Sequence, residues 1–414
     1  MKILIVSQYF WPETFIINQL SKTLTLQGHQ VVVLTGKPNY PEGSIYPGYV
    51  EKGVIREQMD NVEVIRIPLR PRKSGSGKDL LLNYLSFAWS GLLRFPWLVR
   101  GRSFDVIFVY IPSPITAVIP AILLKYIKRT HLVVWVQDLW PESLSATGFV
   151  NNKLVLKLVN YLVKGIYVCS DTLLVQSKAF IAPVSTFTKH DKIKYFPNAV
   201  DDMQDKGMGG ANVLLPEQLK AVLETNFCVI FAGNIGKAQS IETLISAAHK
   251  LSEFPDIKIV LVGNGSMLEW AQLEVARLQL ENVVFAGSFP FNAMPLIFAR
   301  AEVLLVSLKA EEIFSYTIPS KVQAYLSAGR PIIASINGEA ARIIEEAGAG
   351  LSCAAEDVDG LVERIVQLYK MQTEERDVLG QNGREYFLQN FEMELQCKRL
   401  VNIFEQRINK ERVS

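Results

Sequence analysis

Three segments of the chain place glycines, a lysine and small polar residues where a phosphate can be held. In FAGNIGKAQSIETLI, an apolar run ends at Gly233-Asn234-Ile235-Gly236-Lys237 and a helical pattern begins shortly after. Glycines there let backbone N–H groups approach an anion, and a helix N-terminus adds partial positive charge. LVGNGSMLEW repeats the arrangement with Gly263, Asn264 and Gly265. Either loop alone is equally a tight turn; two in one half, both after strands, point to a nucleotide. Neither carries the three-glycine dinucleotide fingerprint, and the P-loop lysine pattern is absent.

The third segment, YTIPSKVQAYLSAGRPIIAS, is more specific. Pro319 is expected at a first helical position, with Ser320 and Lys321 in the first turn and Gly329 closing the helix. The free N–H groups of that turn and the Lys321 ammonium can neutralise a diphosphate. The competing reading is a surface helix with an incidental lysine. Tyr316 and Thr317 precede this turn and Gln323 lies within it, so all three are candidate donor contacts.

Acid–base chemistry has one main candidate. Asp138 ends the strand-like run WVQD and can orient or deprotonate an attacking hydroxyl, or equally cap the helix that starts near Trp140-Pro141-Glu142. Glu142 and Glu13 are secondary candidates. His29 lies in a helix-to-strand turn, and His131, His190 and His249 have no evident partner. Cys169, Cys228, Cys353 and Cys397 lie far apart, which indicates neither a zinc site nor a disulfide framework and fits a reducing cytoplasm. Asp357-Val358-Asp359, the only Asp-x-Asp string, is expected to start a surface helix, so no metal site is expected.

These residues hang on an alternating frame. In the first half, β-branched runs predict strands at 2–7, 31–35, 62–67, 106–110, 132–136, 172–175 and 193–196, with helices at 16–27, 116–128 and 153–166 between them. The alternation restarts with strands at 228–232, 258–262, 283–286, 303–306, 331–334 and 350–353, and helices at 240–251, 267–278, 292–299, 320–328, 339–347 and 357–369. Such alternation predicts an α/β protein of two Rossmann-like, doubly wound parallel-sheet domains. With 414 residues, 49% of them hydrophobic, two cores are expected. The first spans 1–200, a Gly- and Asp-rich linker 201–216, and the second 217–390. A terminal helix over 391–414 is expected to pack back across the junction. Ligands of such sheets bind beyond the C-terminal strand ends, which puts the expected active site in a cleft between the domains.

A formal net charge of +2 excludes a generally polybasic nucleic-acid binder. Charge is nonetheless clustered: Arg66, Arg70, Arg72, Lys73 and Lys78 precede an apolar stretch, 80–99. That stretch interleaves Trp89, Leu92, Phe95, Trp97 and Leu98 with Arg94, and Arg100 and Arg102 follow directly. An arginine at its centre argues against a bilayer-spanning helix; a surface that dips into anionic lipid or a buried groove wall fits better. Lys153, Lys157 and Lys164 mark a second basic amphipathic helix. Both helices can alternatively be core elements with snorkelling lysines.

GNIGKAQSIETL, VGNGS and PSKVQAYLSAGRPIIA resemble the donor half of the GT-B-fold, retaining glycosyltransferase family 4. SQYFWPE, TGKPNYPEG, VYIPSPIT, WVQDLWPESL and FPNAVD resemble the acceptor half of its WbuB-type branch, which is assigned to L-fucosamine transfer in O-antigen and capsule synthesis. The resemblance spans nearly the whole chain. It implies a nucleotide-sugar donor, UDP-linked, no separate cofactor and no metal. It also implies a polyprenyl-diphosphate-linked saccharide as acceptor, at the cytoplasmic face of the inner membrane. The departures are specific. The family's two glutamates, eight positions apart, fall at Tyr316 and Ala324, with Gln323 beside the second as a substitute ribose contact. Its basic pair in the first glycine loop falls at Asn234 and Gln239, leaving Lys237 and Lys321 to supply phosphate charge. YFWPETFI lacks the glycine pair common elsewhere. Two other classes fit the same frame: a nucleotide-sugar epimerase, and a non-catalytic sugar-nucleotide-binding protein, which the missing glutamates would suit.

Overall fold

The computed structural model describes residues 1–146, 152–202 and 215–413, so most of the expected linker (203–214) lies outside the described residues. The chain forms two compact units, Met1–Ala199 with Met393–Ser414, and Val200–Glu392.

The first unit is built on β1 (Lys2–Val6), β2 (Gln30–Gly36), β3 (Ile55–Met59), β4 (Val62–Ile67), β5 (Val106–Ile111), β6 (His131–Val136), β7 (Thr172–Val175) and β8 (Ile193–Tyr195). Their order is β3-β4-β2-β1-β5-β6-β7-β8. All neighbours are parallel except β3, which pairs antiparallel with β4 at the edge. Reading continuous apolar runs misses β3, because IREQM alternates polar and apolar residues as a half-exposed edge strand does. Its hairpin signal is Asp60-Asn61, with Asp60 at a φ of 51°.

The second unit carries β9 (Phe227–Ala232), β10 (Ile257–Val262), β11 (Val283–Gly287), β12 (Val303–Ser307), β13 (Ile332–Ser335) and β14 (Gly350–Cys353), all parallel, in the order β11-β10-β9-β12-β13-β14. Alternate residues of each strand feed opposite faces. Ile230, Val260 and Leu304 join one buried cluster, while Val229, Ile259 and Val303 join the other. Both faces are covered by helices, which is why these strands read as unbroken apolar runs.

The expected helices are present with shifted ends. The segment 116–128 divides into a 3₁₀ turn, Ile115–Val118, and a helix, Ile119–Lys128. Pro319 stands just outside its helix, as the N-cap residue, and Ser320 and Lys321 open it. The stretch 80–99 lies in one helix, Gly77–Leu98, started by Ser76, whose hydroxyl accepts from the Asp79 N–H. The tail forms two helices, Thr373–Asn390 and Met393–Val413. The second belongs to the first unit: Met393, Cys397, Leu400 and Phe404 are buried in its core, and the Phe404 and Phe108 rings lie 5.6 Å apart.

Candidate functional site

Strand order reverses in the second unit between β9 and β12, the place where a doubly wound sheet opens a crevice. The two strands pair only at Val229–Val303 and Ile230–Leu304, whereas β9 and β10 stay paired through Ala232. Past Ile230 the strands therefore splay. The helix Ser320–Ala328 fills the gap: the Tyr325 hydroxyl, fully buried, accepts from the Ala232 N–H at 3.0 Å. One turn earlier this brings Lys321 beneath the first glycine loop.

Gly233 has a φ of +128°, and a Cβ there would lie 2.7 Å from Lys321 Cε. Gly263, at +135°, packs so closely that its Cβ would meet the Gly233 carbonyl oxygen at 1.9 Å. Only glycine fits either position. The loops are tied by Gly233 N–H to Val262 O (2.8 Å) and Ile235 N–H to Asn264 O (2.8 Å). Lys321 Nζ is shut off from solvent, has no hydrogen-bond partner among the described residues and sits 3.5 Å from the Phe231 ring centroid. Burial lowers its pKa from 10.5 to about 7. An ammonium costs several kcal/mol to bury unpaired, which makes such a group a functional-site signal.

The other expected donor contacts separate. Gly233, Asn234, Lys237 and Asn264 are exposed on the rim, and Ser320 is exposed at the helix start. Asn234 Nδ2 donates to Gln239 Oε1 at 3.3 Å, so the positions of the family's basic pair hold two bonded amides. Tyr316 donates its hydroxyl to Glu312 within the short helix Glu312–Tyr316, and Thr317, the residue that caps its C-terminus, donates to Phe314 O. Gln323 is fully buried at the helix start; turned so that its amide nitrogen donates, it meets Pro319 O and Ser320 O at 3.1 and 3.2 Å. Asp357 caps its helix by accepting from Gly360 N–H, and Asp359 pairs with Lys250.

In the first unit, Asp138 follows β6 and is partly buried. Ser143 Oγ donates to it at 3.0 Å, and the Leu139 N–H and Trp140 side chain also face it. Burial, with a smaller push from the Glu142 charge, nevertheless raises its pKa to about 6. At neutral pH it is a carboxylate with unusual proton affinity, suited to taking a proton from a hydroxyl. Glu142 itself is exposed. Glu13 is corrected to a structural tie: it is buried and accepts from the N–H groups of Phe10, Asn39 and Tyr40, joining the loops after β1 and β2. Beside Asp138 the structure adds Tyr84, hydrogen-bonded to Ser113 and within electrostatic reach of Asp138, Arg72 and Tyr40. From sequence alone Tyr84, Ser113 and Tyr40 carry no role, and Arg72 stands there only as one charge of a basic cluster. Their only signal is that three of the motifs, TGKPNYPEG, VYIPSPIT and WVQDLWPESL, end strands of one sheet.

The helix Gly77–Leu98 has a buried and an exposed side. Asn83, Phe87 and Phe95 are core, which removes Phe95 from the expected surface. Leu81, Leu85, Trp89, Leu93 and Trp97 recur every fourth residue and are 48–71% exposed. Arg100 stacks on Trp97 at 5.5 Å, and Arg94 bonds Ser90 Oγ. Arg102 is instead held bidentately by Glu63 (2.9 and 2.7 Å), so its charge is spent inside the unit. A second apolar strip, Leu154, Leu158 and Tyr161, is exposed on the helix Lys153–Cys169. Among the described residues no helix is long and apolar enough to cross a membrane, and no cluster of three His, Cys, Asp or Glu is arranged to hold a metal.

Residues 217–386 match the family of glycosyl transferases group 1, and residues 15–199 match the glycosyl transferase 4-like domain. WcaI of Escherichia coli K12, named as a colanic acid biosynthesis glycosyl transferase, is 24% identical over 89% of this chain and 92% of its own. WbjE of Pseudomonas aeruginosa, named as a glycosyltransferase, is 25% identical over 69% and 73%. Anabaena Alr3699/HepE, solved in complex with UDP, superposes over 98% of this chain and 100% of its own, with a TM-score of 0.67 and 14% identity. Taken with the two doubly wound sheets, these matches identify the chain as a glycosyltransferase of the GT-B fold, a 4-like half followed by a group 1 half.

Proposed function

We propose that the chain transfers a sugar, of the N-acetyl-L-fucosamine type, from a UDP-linked donor onto a polyprenyl-diphosphate-linked saccharide, with retention at the anomeric carbon. The setting is bacterial surface-polysaccharide synthesis at the cytoplasmic face of the inner membrane. The observation that carries the donor side is the buried Lys321 Nζ beneath Gly233, which has no hydrogen-bond partner among the described residues. A nucleotide diphosphate laid over the glycine loops would supply the anion this ammonium lacks, while loop N–H groups and the helix N-terminus take up the remaining charge. Support for UDP comes from the HepE complex, and for the polysaccharide setting from the name of WcaI. No cofactor beyond the donor is called for.

In this reading the bond from the anomeric carbon to the diphosphate breaks as the acceptor hydroxyl adds on the same face. Lys321 and the loop amides stabilise the departing phosphate oxygens, and the hydroxyl proton passes to Asp138 or to the leaving phosphate. The exposed strip on helix Gly77–Leu98, with Arg100, supports placement at an anionic membrane surface. Incubation with a panel of nucleotide sugars and a lipid-diphosphate N-acetylglucosamine acceptor tests the reading. Mass spectrometry should show one added sugar and free UDP. Interconversion of donor sugars without acceptor would identify an epimerase instead, and tight nucleotide binding without turnover a non-catalytic protein.

A further inference from the structure

Arg72 is half-buried in the segment after β4, close to the residues around Asp138. Its guanidinium lies 4.7 Å from the Tyr40 ring centroid and 5.8 Å from that of Tyr9, and Nη1 donates to the Tyr9 hydroxyl at 3.2 Å. Arg66 and Arg102 of the same unit are matched by Glu57 and Glu63; Arg72 has no ion pair among the described residues. Yet its position is tightly built. The Arg72 N–H donates to Asn39 Oδ1 (3.1 Å), and Lys73 N–H to Gly43 O (2.7 Å). Fully buried Asn83 donates to Asn39 Oδ1 (3.3 Å) and Arg70 O (2.6 Å) while accepting from Gln8 Nε2 (2.6 Å). A buried amide network therefore fixes the backbone that presents one uncompensated cation between aromatic rings. That is a preorganised anion clamp, since a guanidinium can give a phosphate two parallel N–H bonds.

Asn83 and Tyr84 also fix what lies beside the clamp, because both belong to the helix Gly77–Leu98. Its exposed strip starts at Leu81, within a turn of Tyr84, and extends sixteen residues to Trp97, about 24 Å at 1.5 Å per residue. A fixed cation at one end of a long apolar strip matches an anionic headgroup carried on a hydrocarbon chain.

We propose that Arg72, framed by Tyr9, Tyr40 and Tyr84, binds the diphosphate of the lipid-linked acceptor, and that the strip beginning at Leu81 receives the adjoining isoprenoid. The proposal rests on the acceptor reading above. It is tested by calorimetric titration of the full chain with geranyl diphosphate, in excess UDP to keep the probe off the glycine loops. Arg72→Gln should weaken binding at least tenfold and Arg72→Lys less, because lysine keeps the charge but loses the fork. Trp89→Ser should weaken geranyl diphosphate while leaving inorganic diphosphate within twofold. Unchanged melting temperatures in the Arg72 variants would exclude misfolding as the cause; if Arg72→Gln does not fold, Arg72→Lys carries the comparison. Arg72 variants that bind within twofold of wild type, or that lose geraniol as strongly as geranyl diphosphate, overturn the clamp. If wild type transfers to a lipid-diphosphate saccharide while the variants retain both binding and transfer, only the placement at Arg72 fails. A wild type that binds no prenyl diphosphate and glycosylates only phosphate-free acceptors overturns the acceptor reading, and the clamp with it.

Discussion

Replacing Lys321 by methionine removes the ammonium while keeping an unbranched chain of similar reach in the space between Phe231 and Gly233. The folded pKa of about 7, against 10.5 without burial, sets the scale. At 1.36 kcal/mol per decade, holding this lysine charged costs the folded state at most about 4–5 kcal/mol. The sign follows from proton counting. Below pH 7 both states are protonated and the full cost applies. Between pH 7 and 10.5 the unfolded chain keeps a proton that the folded chain has released, so wild-type stability rises with pH. Lys321→Met should therefore be more stable than wild type at pH 6, with a smaller margin at pH 9. Two decades of pH correspond to about 2.7 kcal/mol. For a unit near 200 residues, that narrows the gap in melting temperature by roughly 5–10 °C. Activity should move the other way: loss of a charge-assisted bond worth roughly 1.5–3 kcal/mol lowers kcat/KM about 10–150-fold. Thermal melts at the two pH values, paired with kinetics at pH 7.5, make the comparison. A gap that does not change with pH, or catalytic efficiency within twofold of wild type, would show that Lys321 is not the buried anion anchor.

Four further outcomes are expected. Because the Asp138 pKa lies near 6 and proton acceptance needs the carboxylate, kcat/KM should fall as pH drops through about 6, and Asp138→Asn should abolish that limb; an unchanged acid limb in the variant assigns it to another group. Trp89→Ser with Trp97→Ser and Arg100→Gln should reduce sedimentation with anionic vesicles, whereas Arg102→Gln, which breaks the Glu63 pair, should not; equal vesicle binding by the triple variant across a salt series would move the membrane contact elsewhere. Turnover should survive excess EDTA, and complete loss restored by manganese would contradict the metal-free reading. Phe404→Ala empties a fully buried site against Phe108 and should cost about 3–5 kcal/mol, read by denaturant unfolding of the first unit; a loss below 1 kcal/mol would mean the terminal helix is only loosely docked.

The repeated alternation of β-branched runs with helical stretches made both sheets legible from sequence, because strands buried on two faces must be apolar throughout. The glycine loops and the Pro319-Ser320-Lys321 turn were legible for a similar reason: positive φ and close backbone approach restrict the residue type locally. Beyond that, one-dimensional pattern ran out. Nothing in the order of residues shows that β9 and β12 splay after Ile230, so it could not place Tyr325 in the gap or Lys321 under Gly233. Glu13 and Arg102 looked like available polar groups, and each is spent on a partner distant in sequence. Arg72 looked like one charge in a basic cluster; only the packing of the loops after β1 and β2 against the helix Gly77–Leu98 sets it between two tyrosines, with no ion pair among the described residues. Residue type and spacing determine local conformation, whereas the state of a charge depends on which side chains and how much water surround it, and those neighbours come from the whole fold.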